Sequence, residues 1–288
     1  MAIDYDTLRH WPIPDIERTY TARDTILYAL GLGFGQDPCD EEQLRFVLED
    51  RLEALPSMAL VLAYPPVWFS APGTGVDFTR VVHAEMRFVN HRPLPAAATV
   101  VGKTRVTGLF DKGPKVGALM RTACEVYDRA DDSLLCSLTS ASMARGDGGF
   151  GGGDLQEKEV YFAPEGQPDA VCDIKTIPQA ALIYRLSGDD NPLHSDPRRA
   201  HQAGFKQPIL HGRCSFGIAA WALLKHCCGY QPARLKSMSL RFSSPVFPGE
   251  TLRTEIWQEG GEVRFRTLVL ERGNVALSHG KAQVLGPD

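Results

Sequence analysis

The densest group of chemically competent side chains lies within residues 184–212. Asp189, Asn191 and His194 fall there on a proline-containing turn, with the carboxylate five residues before the imidazole. On a loop, such groups can converge on one water molecule, and aspartate and histidine are the usual pair for moving protons. The segment lacks the further ligands that a metal would need. The spacing therefore favours general acid–base catalysis. From spacing alone, the alternative is that Asp189 only caps the turn and His194 is a surface histidine.

A second candidate is Gly212, which follows Pro208-Ile209-Leu210-His211 and begins an apolar helix. The first N–H groups of a helix have no partner inside it, and they lie at the positive end of the helix dipole. Glycine also lets a ligand approach the backbone closely. The Gly212 N–H is therefore a candidate donor to a developing oxyanion, although glycine is also common at plain helix starts.

The elements that must position these groups repeat along the chain. Three sets of residues recur: Tyr28-Ala29-Leu30 as Tyr184-Arg185-Leu186, Arg87-Phe88 as Arg241-Phe242, and Pro95 as Pro248. Their separations are 156, 154 and 153 residues, in the same order along the chain. Such near-constant separations predict two copies of one fold, each about 130 residues long.

Each copy shows the same order of secondary structure: an amphipathic helix, an apolar helix and then antiparallel strands. The predicted helices are 24–32, 56–64, 177–186 and 211–227. The predicted strands are 98–108, 116–127 and 134–144 in the first copy, and 235–243, 251–259, 262–271 and 275–285 in the second. This order predicts an α+β fold in which each copy wraps an antiparallel sheet round one buried helix.

Residues 145–154, R-G-D-G-G-F-G-G-G-D, mark the clearest change in composition. Six glycines in ten residues disfavour regular structure and favour a flexible connection. We therefore predict an N-terminal domain at 1–145, a glycine-rich linker at 146–170 and a C-terminal domain at 171–288. A long surface loop within a single domain is the alternative.

The repeat also predicts that only the second copy is catalytic. Subtracting 156 from a residue number in the second copy gives the equivalent position in the first copy. Asp189 is then equivalent to Gly33, His194 to Pro38 and Gly212 to Pro56. The first copy would then lack the carboxylate, the imidazole and, at its proline, the N–H group.

Composition and charge exclude several classes of protein. Of the 288 residues, 43% are hydrophobic and 23% are charged, which is typical of globular domains. The net charge is −4 and the 31 basic residues are scattered, so a nucleic-acid partner is not expected. Seven cysteines without a C-x-x-C pair favour a reducing compartment, and no apolar stretch reaches the ~20 residues of a membrane span. We expect a cytoplasmic protein without a metal. A nucleotide cofactor is not expected either, because no G-x-G-x-x-G follows a strand.

The motif G-D-D-N-P-L-H-S-D-P, followed by A-G-F-K-Q-P-I-L-H-G, resembles the signature of the MaoC-like (R)-specific enoyl-CoA hydratases. Further segments extend the resemblance to the double hot-dog hydratase unit of the peroxisomal multifunctional enzymes type 2: Y-T-A-R-D-T-I-L-Y-A-L-G-L-G, V-V-H-A-E, D-K-G and G-G-F-G-G. The resemblance implies a double hot-dog fold. It also implies reversible hydration of trans-2-enoyl-CoA to (3R)-3-hydroxyacyl-CoA in fatty-acid or related acyl-CoA metabolism. The CoA thioester would be the substrate, no cofactor would be needed, and a homodimer is expected.

The same resemblance implies roles for individual residues. Asp189 and His194 would hold and activate a water molecule, Asn191 would orient the site, and the Gly212 N–H would polarise the thioester carbonyl. Further substrate contacts would come from His83, Ala84, Lys112, Asp190, Pro192, Leu193 and Phe242. Ala84 stands where glycine is expected in the multifunctional enzymes, a departure that bears on the width of the CoA approach and not on the catalytic pair.

Two other functions remain open from the sequence, a hot-dog acyl-CoA thioesterase and a non-catalytic acyl-CoA-binding protein. A thioesterase would use its acid to activate water against the carbonyl itself. A pure binding protein has no need of the Asp189, Asn191 and His194 group, so this group favours an enzyme. The segment 58–69 either lines an acyl-chain tunnel or forms the core of the first copy, and the core is our prediction.

Overall fold

The computed structural model of the chain describes residues 3–63, 65, 67–155, 161, 164 and 166–286. Within these residues, ten strands form one continuous antiparallel sheet. The strands of the first half are β1 (Ile16–Tyr20), β2 (Val81–Asn90), β3 (Ala98–Asp111), β4 (Ala118–Asp128) and β5 (Leu134–Ala144). Those of the second half are β6 (Ala170–Lys175), β7 (Leu235–Phe242), β8 (Thr251–Glu259), β9 (Glu262–Val269) and β10 (Asn274–Val284).

The two halves of the sheet have the same strand order. The first half runs β1-β3-β4-β5-β2, and the second, from its own outer edge, runs β6-β8-β9-β10-β7. The identical order confirms the predicted duplication. The halves join where β2 pairs with β7, with Met86 opposite Leu240. We expected two separate sheets, but an unpaired edge would leave backbone N–H and C=O groups exposed, and pairing of the two edges satisfies them.

Three strands, β1, β2 and β6, are absent from the sequence-based prediction. β1 and β6 are short strands at the two outer edges of the sheet, with five and six residues, so each contains too few residues for a clear alternating pattern. In β2, the pairing register shifts between His83 and Glu85. Such a bulge interrupts the inward and outward alternation from which a strand is recognised.

The long helix α6 (Gly212–Cys228) is buried on nearly every side, which confirms the helix predicted at 211–227. The shorter helices are α1 (Tyr5–Arg9), α2 (Ala22–Leu32), α3 (Glu41–Leu44), α4 (Ala180–Tyr184) and α5 (Pro197–Gln202). A Cβ at Gly217 would lie 2.6 Å from the Leu32 side chain, so this glycine lets α2 pack closely on α6. In the described part of the chain, no helix is long and apolar enough to cross a membrane.

The apolar segment of the first copy is much shorter than its counterpart α6. We predicted a helix at 56–64, but the structure has a 3-10 helix over Pro56–Val61. Pro65 follows closely and disfavours a longer helix. Met58 to Ala63 are buried, which supports the core interpretation for these residues. The void beside Met58 has a volume of about 10 Å³, which is too small for an acyl chain.

The glycine-rich segment 145–154 lies against the end of β3. The carboxylate of Asp111 accepts hydrogen bonds from the N–H groups of Gly149 (2.7 Å) and Gly151 (3.1 Å). The carboxylate of Asp154 accepts from the Leu109 N–H at 2.8 Å. The segment therefore packs on the first half through these hydrogen bonds, whereas its composition favours a flexible connection. The linker expected at 146–170 lies partly outside the described residues, and the domain boundaries stay predictions.

Candidate active site

The turn that carries the candidate acid–base residues begins where a helix ends. A 3-10 turn extends α4 as far as Gly188, which ends it in the left-handed conformation (φ 116°). Asp189 follows directly, and His194 closes a second 3-10 turn over Pro192–His194. Asn191 is exposed, and its side-chain oxygen accepts the Leu193 N–H at 3.0 Å. The structure therefore gives Asn191 a contact that forms the turn.

Two histidines and a carboxylate converge at this turn. Potential ligand atoms of Asp189, His194 and His211 all lie within 4.8 Å of one another. The rings of His194 and His211 stack, with 3.9 Å between their centroids. His194 Nδ1 donates to the Ile209 carbonyl at 2.9 Å, and His211 Nε2 donates to the backbone carbonyl of Asp189 at 3.0 Å. These two bonds hold the turn against the residues that lead into α6.

The hydrogen bonds and the burial determine the proton positions on both imidazoles. Because a carbonyl oxygen only accepts, Nδ1 of His194 carries its proton, and Nε2 is left as an acceptor. Burial lowers the pKa of His194, although the bond to Ile209 opposes the change. Burial, together with the neighbouring His194, lowers the pKa of His211 to about 3. Both rings are therefore neutral near pH 7.

Asp189 is held in its charged form by its neighbours. Burial alone would raise the pKa of this carboxyl, but the positive charge of Arg213 opposes burial, and the pKa lies below its usual value. Arg213 is the second residue of α6 and is 6% exposed. The site thus contains an ionised carboxylate beside a neutral imidazole.

Gly212 connects this group to the place where β2 and β7 pair. It is the first residue of α6, and a Cβ built on it would lie 3.1 Å from Cε1 of Phe242 on β7. The Phe242 ring lies 4.6 Å from the ring of His83 on β2. His83 Nε2 shares a 2.9 Å hydrogen bond with Ser140 Oγ, and burial lowers the pKa of His83 to about 3. The structure therefore brings three of the expected substrate-contact and donor residues together.

The other expected contact residues lie on β2, just after β3 and on the turn. Ala84 packs against a small cluster that contains Phe110, and Lys112 Nζ lies 5.9 Å from the centroid of the Phe110 ring. The remaining three are on the turn itself, where Asp190 and Pro192 are exposed and Leu193 is half-buried.

His211 and Arg213 are site residues that the sequence analysis did not select. The sequence contains a signal for both residues, because they directly flank Gly212. Arg213 is also a charged residue at the start of a largely apolar helix. We expected the segment to lack further metal ligands, and His211 shows that this expectation is wrong. With it, three potential ligand atoms lie together in the described part of the chain. The expected absence of a metal stays a prediction.

Comparison with known proteins places the chain in a family. Residues 19–146 match the MFE-2 hydratase 2 N-terminal domain, and residues 160–279 match the MaoC like domain. The peroxisomal enoyl-CoA hydratase 2 of Arabidopsis thaliana is 37% identical over 289 residues, covering 95% of this chain and 93% of the relative.

Solved structures agree with the topology described above. The crystal structure of a MaoC-like dehydratase from Phytophthora capsici superposes with a TM-score of 0.87 at 37% identity, over 98% of each chain. At 14% identity and a TM-score of 0.58, a Mycobacterium tuberculosis protein described as a double hotdog fold covers 96% of this chain and shares its fold alone. The predicted double hot-dog fold is confirmed, and the chain belongs to the family of MaoC-like hydratases that includes the enoyl-CoA hydratases 2.

Proposed function

We propose that the chain catalyses the reversible hydration of trans-2-enoyl-CoA to (3R)-3-hydroxyacyl-CoA in fatty-acid metabolism. The observation that carries this proposal is the meeting of the Asp189 carboxylate and the His194 imidazole beside the first residue of α6. The relative from Arabidopsis thaliana named enoyl-CoA hydratase 2 supports the reaction class.

The proposed mechanism uses the two acceptors to activate water. Asp189 is ionised and His194 is neutral with Nε2 free to accept, so together they can hold both protons of one water molecule. The water oxygen bonds to C3 of the enoyl group as one water proton passes to the acid–base pair, and the pair then delivers that proton to C2. The overall reaction adds one water across the double bond and needs no redox step.

Charge that develops on the thioester oxygen requires a donor, and we assign this role to the Gly212 N–H. An N–H at a helix start has no partner inside the helix and benefits from the helix dipole. One such donor stabilises a developing oxyanion by about 3 kcal/mol. His83 and Phe242 would then border the thioester, while Ala84, Lys112 and the exposed part of the turn would contact the CoA arm.

Hydration of crotonyl-CoA tests the reaction and its handedness in one experiment. We expect loss of the absorbance of the conjugated thioester, and a single product enantiomer, (3R), on chiral analysis. Because the thioester carbonyl is fixed and the water is held on one face of the double bond, the water can attack from that face alone. A racemic or (3S) product contradicts the assignment. Release of free CoA thiol would identify a thioesterase, and binding without turnover would identify an acyl-CoA-binding protein.

Arg213 provides a test through the pH dependence of the reaction. Because the charge of Arg213 lowers the pKa of Asp189, replacement by methionine should raise that pKa. The acid limb of kcat/KM should then move to higher pH, whereas Arg213→Lys, which keeps the charge, should move it less. An acid limb at the same pH in a folded Arg213→Met variant would contradict this account of how Asp189 stays ionised.

Oligomeric state and location are also proposals. We propose a homodimer in the cytoplasm, as expected from the sequence, and note that the relative from Arabidopsis thaliana is peroxisomal. Gel filtration with light scattering and imaging of a tagged full-length protein in its own cell test the two points separately.

A further inference from the structure

Arg18 of β1 links the first half of the chain to the turn that carries Asp189. Its Nη1 donates to the backbone carbonyls of Val61 and Ser187, each at 3.0 Å. Val61 belongs to the first half, whereas Ser187 lies in the second half, two residues before Asp189. One nitrogen with two protons can donate to both carbonyls, so it connects the two halves at this point. We call the guanidinium and its two acceptors the Arg18 bridge.

Both acceptors of the Arg18 bridge are carbonyls at the end of a short helix. Val61 is the last residue of the 3-10 helix Pro56–Val61, and Ser187 is the last residue of the 3-10 turn Arg185–Ser187. The last carbonyls of a helix have no partner within it, and basic side chains commonly donate to them. Arg18 is half-buried, so water competes less for these bonds than it would at the surface.

The guanidinium also packs on the backbone of Gly188, directly before Asp189. A Cβ built on Gly188 would lie 2.6 Å from Nη1 of Arg18, so a side chain at this position would displace the guanidinium. On the other side, the backbone carbonyl of Asp189 accepts a hydrogen bond from His211 Nε2 at 3.0 Å. The backbone of Asp189 is therefore held between Arg18 of the first half and His211 at the start of α6.

The other half of the chain has a different residue at the position of Arg18. The outer strands β1 and β6 are equivalent in the sheet, and the 155-residue separation of Gly33 and Gly188 places Asp173 opposite Arg18. An ionised carboxylate cannot donate to a carbonyl. Asp173 instead pairs with Arg253, whose Nη2 lies 2.7 Å from its carboxylate. The arginine thus stands on the strand that meets the turn with the acid–base residues.

We propose that Arg18 is a positioning residue for hydration, an inference that rests on the proposed function. By fixing the carbonyl two residues before Asp189, the bridge holds this carboxylate where it and His194 accept the protons of one water molecule. The first half supplies no group of the acid–base pair, but through Arg18 it sets the geometry of that pair. Arg18 acts through the turn and not on the reacting atoms.

Arg18→Met tests the proposal through separate effects on kcat and KM. The kcat for crotonyl-CoA should fall by about 10–10²-fold, as expected when a catalytic group is misplaced by about 1 Å, with KM unchanged. The acid limb of kcat/KM should stay at the same pH, because the bridge acts on backbone position and not on the charge of Asp189. Arg18→Lys, which keeps a donor for the carbonyls, should retain more of the wild-type kcat.

Two further variants complete the test. Arg18→Gln also removes the bridge and keeps a polar side chain at this half-buried position. It should behave as Arg18→Met does, and it replaces that variant if the methionine protein does not fold. Arg129→Met is the matched control, because it removes an exposed arginine that pairs with Glu17, the neighbour of Arg18 on β1. The control should keep wild-type kcat and KM.

Hydrogen–deuterium exchange reports on the turn without any need for activity. The N–H groups of His194 and Ser195 donate to carbonyls within the turn, and that of Gly188 donates to the carbonyl of Arg185. These amides should exchange faster in Arg18→Met and Arg18→Gln than in the wild type, because the turn opens more often once the bridge is lost. They should exchange at the wild-type rate in Arg129→Met.

The outcomes separate this proposal from the proposed function. Four results overturn the positioning role and leave the hydratase in place: wild-type kcat without the bridge, a loss carried by KM alone, an acid limb that moves, or unchanged exchange of the turn. A wild-type protein that does not hydrate crotonyl-CoA overturns the function. The exchange experiment then still decides whether Arg18 holds the turn.

Discussion

Asp189→Asn is expected to lower kcat for crotonyl-CoA hydration by about 10²–10⁴-fold, the usual loss when a general acid–base group is removed. Asparagine has nearly the same shape but cannot take a proton from water. Within the described part of the chain, the carboxylate accepts one long hydrogen bond, from the Asn191 N–H at 3.5 Å, so the turn should persist. Stopped-flow or steady-state absorbance measures the rate, and circular dichroism verifies the fold.

His194→Ala should cause a loss of similar size, because His194 Nε2 is the second acceptor for the water. The matched control is Asp37→Asn. Asp37 lies in the corresponding turn of the first half, is exposed and accepts the Cys39 N–H at 2.9 Å. This variant should keep wild-type kcat. Near-normal turnover by Asp189→Asn or His194→Ala, or a comparable loss in Asp37→Asn, would contradict the proposed acid–base pair.

The motif in residues 184–212 located the candidate site, and the internal repeat predicted which half carries it, with one error in its register. Gly33 and Gly188 both end a helix in the left-handed conformation, and each donates its N–H to the carbonyl three residues earlier. These two glycines are 155 residues apart, so Phe34 and not Gly33 is opposite Asp189. Phe34 is buried, with its ring 4.3 Å from that of Trp221. An apolar side chain therefore occupies the position of the carboxylate, as the asymmetry argument requires.

Contacts between distant parts of the chain could not be predicted in the same way. The bond from His194 to Ile209 and the bond from His211 to Asp189 bridge 15 and 22 residues, and no periodicity in the sequence reports them. The pairing of β2 with β7 is more distant still, because it depends on two sheet edges meeting. Local patterns thus identified the turn and the helix start, whereas the charge environment of Asp189 needed the packed structure.

The second large effect is expected for Gly212→Pro, which removes the proposed oxyanion donor and should lower kcat by about 10²–10³-fold. The substitution suits the backbone. Gly212 is the first residue of its helix, where proline is well tolerated and the N–H has no intrahelical partner. The preceding His211 has φ −57° and ψ 134°, the extended conformation that a following proline requires.

Gly212→Ala separates loss of the N–H from the added side chain. Both variants place a Cβ 3.1 Å from Cε1 of Phe242, so the crowding caused by Cβ is common to them, but alanine keeps the N–H. We therefore expect kcat for the proline variant to fall far below that of the alanine variant, with similar free energies of unfolding in urea. Equal kcat values for the two variants would show that the loss comes from crowding of Phe242, and the thioester oxygen would then need a different donor.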